Sequence, residues 1–129
     1  MKRALAFLLL MGMPAAAQDI APGKLTIAGE AFAAADVLDA RAMPDMNGTS
    51  GIMLTLTPKA AQRLAALTRA LTGKPMVVAL DGKPILREMI HAPIRDGVID
   101  IPAAFKLPEA EALAKRISGK PPLPDDLAE

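Results

Sequence analysis

Residues 57–73 hold the pattern that most restricts the fold, a helix with an apolar stripe on one side only. Thr57 can accept a bond from an otherwise unpaired backbone N–H, and Pro58 loses nothing at the first helical position. Ala60, Ala61, Leu64, Leu67, Thr68 and Leu71 follow at spacings of three and four, while Lys59, Gln62, Arg63 and Arg69 take the outer face. Gly73 ends the run, because a positive φ is cheap only for glycine. A second helix is expected from Pro108 to about Ser118, with Ala110, Leu113, Ala114 and Ile117 inward and Gly119 as its stop. Its acids, Glu109 and Glu111, lie near the positive end of the helix dipole, and Lys115 and Arg116 near the negative end. Helices with one apolar stripe must lie on a sheet. We therefore expect an α+β fold, a two-layer sandwich of a small, mostly antiparallel sheet with two helices on one face.

Several segments can supply that sheet. Lys24–Ile27 reads as a brief strand closed by Gly29, Glu30–Ala35 as a single helical turn, and 36–43 as either strand or irregular chain. Pro44 to Gly51 is a turn or loop by composition. Ile52, Leu54 and Leu56 alternate with Met53, Thr55 and Thr57, the period of a strand. Pro75–Leu80 and Lys83–Leu86 flank Asp81-Gly82, a strong hairpin signal. Pro84 cannot donate to a ladder, so the second arm is expected at an edge. Val98–Ile101 completes the set, after a loop holding His91, Pro93 and Gly97.

The amino terminus has a different character. Lys2-Arg3, an apolar run from Ala4 to Met13, and Ala15-Ala16-Ala17 have the order of a secretory signal peptide cleaved after Ala17. The run falls short of the roughly 20 residues needed to cross a bilayer. The expected organisation is signal peptide 1–17, leader 18–23, an α+β domain 24–119 and a proline-rich tail 120–129, extended and disordered. A periplasmic or secreted location follows, with no membrane span after cleavage. The chain has no cysteine, so its stability must come from packing without disulfides, and thiol chemistry is excluded. Without Lys2 and Arg3, two fewer than the 15 Lys and Arg face 14 acids, a net charge of about −1. That balance, with no Trp or Tyr for base stacking, argues against a nucleic-acid partner.

Four stretches, in order, resemble the periplasmic head domain of the SecD export subunit. They are Ile27-Ala28-Gly29-Glu30; Leu54–Thr57 entering a helix with Leu67-Thr68; Val78–Gly82; and Ile101–Phe105 leading to Glu109–Ala114. The likeness extends over nearly all of residues 24–124, through Gly119 to Leu123-Pro124. Leu86-Arg87-Glu88 replaces the family's usual small-residue-Pro segment, and Pro102-Ala103 its usual Ser-Gly or Thr-Gly pair. The resemblance implies a head that contacts the polypeptide emerging from the translocon, with motion powered through membrane helices. This sequence lacks those helices, so the fold is expected to carry over and the motor role is not.

Few residues suggest chemistry. His91 is the single histidine; with Met89, Met43 and Met46 it would form a soft site suited to Cu(I), yet methionine is also a routine gap filler. Ser50 and Ser118 lie outside any nucleophile-elbow context. Asp36 with Asp39 is an available carboxylate pair, whereas the helix dipole accounts for Glu109 with Glu111. Lys59, Arg63, Arg69 and Lys74 read as the solvated face of an amphipathic helix. No enzyme, cofactor or metal site is expected. The expected function is a polypeptide-binding module whose partner is an exported chain, a translocon subunit or another periplasmic protein. Its candidate surfaces are Met43 and Met46 in one loop and the edge residues Lys83, Pro84, Ile85 and Leu86. The alternative is a small-ligand or copper carrier.

Overall fold

The computed structural model describes residues 21–124. The expected signal peptide, the first half of the leader and residues 125–129 lie outside the described residues. Among the described residues, seven strands and two helices follow in order: β1 (Leu25–Ile27), β2 (Glu30–Phe32), β3 (Val37–Pro44), β4 (Ser50–Leu56), α1 (Pro58–Ala70), β5 (Pro75–Leu80), β6 (Lys83–Met89), β7 (Val98–Phe105) and α2 (Leu107–Ser118). A 3-10 turn, Ala34–Asp36, precedes β3.

The α+β sandwich is as expected, but its strands form two sheets instead of one. One has the order β2-β1-β5-β6 and the other β3-β4-β7, and every pairing is antiparallel. α2 packs on β3 and β4, and α1 on β4. One core joins the layers, including Leu25, Ile27, Leu54, Leu64, Met76, Val78 and Ile117.

Two tight hairpins organise the first sheet. Leu80 pairs with Lys83 across Asp81-Gly82, where φ is 52° and 83°, the turn required by strand twist. The other, Ala28-Gly29, has φ of 55° and 82° and pairs Ile27 with Glu30. Glu30–Phe32 is therefore a strand, and the expected helical turn shrinks to Ala34–Asp36. Alanine hides the signal because its Cβ disfavours the left-handed region. Ala28→Gly relieves that strain, so we expect a gain of about 0.5 kcal/mol, read as a small rise in melting temperature. A fall would mean that the half-buried methyl of Ala28 outweighs its backbone strain.

The helices start and stop largely as their sequences dictate. Thr57 Oγ1 accepts from the Ala60 amide at 3.3 Å, and Gly119 ends α2 with φ 74°. At α2 the first-turn Glu109 accepts from the Lys106 amide at 3.3 Å, in place of a side-chain cap at the preceding residue. Buried Thr68 is more than part of a stripe. Its hydroxyl donates to Leu64 O and accepts from the Ile94 amide, both at 2.8 Å, so it anchors the loop between β6 and β7. Arg63 also leaves the purely solvated role expected for it. Its guanidinium lies 4.1 Å from the Phe32 ring centroid and donates to Ala31 O at 2.9 Å, fastening α1 to β2.

Candidate functional site

Of the expected edge residues, the structure exposes two and buries one. β6 ends the four-stranded sheet. Lys83 and Pro84 are exposed, Ile85 is half-buried, and Leu86 belongs to the core. Ile85 is the extra residue in a bulge, since Val78 pairs with Leu86 while Ala79 pairs with Pro84. That bulge breaks simple alternation, which is why Leu86 turns inward. Beside the edge lies a cleft of about 420 Å³, lined by Lys83, Pro84, Ile85, Phe105, Leu113 and Arg116 among others. Asp81 holds one end of it. Its carboxylate accepts from the Lys24 amide at 2.8 Å and pairs with Arg116, two contacts that its turn role alone did not reveal.

Met43 lies on the other sheet, and Met46 in a turn beside it. Met43 is half-exposed near the end of β3, and Met46 is fully exposed in the turn that follows. Asp45 shapes this turn by accepting from the Asn47 amide at 2.9 Å, the Thr49 amide at 3.0 Å and the Thr49 hydroxyl at 2.8 Å. Those bonds, the Thr49 hydroxyl first, hold its carboxyl below the ordinary value. The turn is therefore ordered, and Met46 projects from it.

Met89 ends β6, the edge of one sheet, and Met43 lies in β3, the edge of the other. His91 is exposed in the loop after β6. Among the described residues, no three His, Cys, Asp or Glu side chains gather as a metal site. Ser50 is fully buried and donates to Gly51 O at 3.0 Å. Ser118 is also buried, donating to Lys120 O at 2.8 Å. Asp36 accepts from the Ala33 amide at 2.9 Å and so caps the 3-10 turn. Ser50, Ser118 and Asp36 thus each have a structural partner.

One arrangement escaped the sequence reading. Buried Asp39 and nearby Arg41, both on β3, hold Leu123, so the described part of the tail is docked on that strand. Contacts across 82 and 84 positions leave no local signal.

These features define an α+β module whose candidate surfaces are a strand edge, a loop and the outer face of a sheet. The SecDF P1 head subdomain family model matches residues 16–120. Protein translocase subunit SecDF of Thermus thermophilus is 33% identical over 113 residues, covering 87% of this chain and 14% of that protein. A solved structure reported under "Structure and function of a membrane component SecDF that enhances protein export" aligns with TM-score 0.62 and 31% identity, over 72% of this chain and 42% of that one. Another, "Crystal structure of SecDF in Super-membrane-facing form", gives TM-score 0.61 and 31% identity, over 72% of this chain and 12% of that one. The chain belongs to the SecDF P1 head subdomain family. It spans about one-seventh of the length of the Thermus relative, as the 14% coverage shows. Among the described residues, no helix is long and apolar enough to cross a membrane.

Proposed function

We propose that this chain is a non-enzymatic, periplasmic polypeptide-binding head that serves protein export. The observation that carries the reading is the edge position of β6, with Lys83 and Pro84 exposed beside a cleft of mixed apolar and charged lining. An edge strand offers unpaired backbone groups, so an extended chain can add to it while its side chains enter the neighbouring cleft. Lys83 and Pro84 blunt the start of the edge against unlimited sheet growth. Family membership supports the link to export, since the matched relative is named as a protein translocase subunit.

A photo-crosslinking residue placed at Lys83 or at Arg87 tests the edge in cells. Both positions are exposed on β6. Exported polypeptides or translocon subunits should be captured from these positions at least several times more efficiently than from Lys59 on the exposed side of α1. Equal capture from all three positions would remove the edge from the mechanism.

A further inference from the structure

Residues 121–124 read Pro-Pro-Leu-Pro, so Leu123 is the one residue of the four with an amide hydrogen. That N–H donates to Asp39 Oδ1 at 2.9 Å. The carbonyl of the same residue accepts from the Arg41 guanidinium at 2.6 Å. Arg41 Nε in turn donates to Asp39 Oδ2 at 2.8 Å. Asp39 and Arg41 alternate along β3 and reach one side of it together. Two side chains thus satisfy both backbone groups of a single residue, as a neighbouring strand would.

The side chain and the prolines are accommodated as well. Leu123 lines an apolar cleft of about 420 Å³ with Leu38, Met43, Met53 and Thr55. Pro121 and Pro122 line a second one with Leu107, Ala114 and Lys115. The bound segment itself lies outside the core. Residues 120–124 are exposed and contribute nothing to the buried core, while Leu38 and Met43 are themselves 44% and 47% exposed.

We propose that the Asp39–Arg41 pair and its flanking clefts form a binding site for an extended, proline-flanked leucine segment of another polypeptide, occupied in cis by residues 121–124. The clamp satisfies the single available amide of such a segment, the cleft takes its leucine, and neighbouring prolines keep it extended at low entropic cost. The cis segment is a built-in competitor. This site lies on the sheet that does not contain β6, so its fate and that of the edge reading are independent.

The test uses the full chain and a fluorescent Lys-Pro-Pro-Leu-Pro peptide, with binding read by anisotropy. Leu123→Asp weakens the internal occupant, and a short tether corresponds to roughly millimolar effective concentration, so this variant should bind the peptide about tenfold more tightly than the parent. Arg41→Ala in that background should abolish the gain, and a peptide with Asp in place of Leu should not bind. If Leu123→Asp loses native circular dichroism, Leu123→Ala serves in its place. A folded variant that binds no better than the parent would overturn the proposal, as would binding indifferent to Arg41→Ala. A concentration-dependent dimer of the parent that Leu123→Asp dissolves would assign the site to a second copy's tail and overturn the foreign partner.

Discussion

Replacing Leu64 by alanine is expected to destabilise the domain by about 2–5 kcal/mol. Leu64 has no exposed surface and sits at the centre of the inward stripe of α1. Two losses combine: the transfer energy of the missing carbons, and the cavity left where the packed layers cannot close. The flanking residues offer little compensation, since Ala60 is small and Thr68 is committed to Leu64 O and the Ile94 amide. Chemical denaturation should show a lower midpoint with an unchanged slope. A domain of this size has only about 5–15 kcal/mol in reserve, so the variant would be near the edge of folding. A loss below about 1 kcal/mol would mean that α1 is not seated on the sheet as described.

Gly51→Ala should cost about 2–3 kcal/mol although it adds a single methyl group. A Cβ at Gly51 would fall 2.3 Å from the Ile101 carbonyl oxygen and 3.2 Å from the Ala103 nitrogen. Both obstacles are backbone, so no rotamer change relieves them. The crowding comes from β7. Ile52 pairs with Ile101 and Ser50 with Phe105, so Gly51 alone faces the three residues 102–104. Pro102 brings no N–H to a regular ladder, and the strand bulges over the glycine. Alanine must push that bulge away, together with Phe105, which borders the cleft beside β6. The loss should appear as a lower thermal midpoint and faster amide exchange in β4 and β7. An unchanged midpoint would show that the bulge moves aside freely.

These two positions differ in how visible they are in the sequence. Leu64 stands out because its neighbours at three and four residues are also apolar, and a helix converts that spacing into one face. Gly51 reads there as the junction of a turn and a strand. Its constraint arises from the strand at residues 101–103, through a bulge that no local pattern encodes.

The candidate surfaces divide the same way. Edge placement of β6 was legible from Pro84, and the turn at residues 45–49 from its Asp, Asn and Gly content, whereas Met43, expected in that loop, is paired in β3. The inward turn of Leu86 was not, since it depends on the bulge at Ile85. The Leu123 clamp was not either: a proline-rich tail looks unstructured until Asp39 and Arg41 are brought beside it.

By itself the sequence determined both helices, the caps at Thr57 and Gly119, the Asp81-Gly82 hairpin, the layered α+β class and the SecD-head resemblance. Each depends on contacts within a few residues, on side-chain periodicity or on motif order. Only the tertiary structure decided the division into two sheets, the Ala28-Gly29 hairpin, the bulge over Gly51 and the docking of residues 120–124. Strand pairing joins distant segments through backbone groups that every residue carries, so residue identity says that a strand exists but seldom which strand it meets.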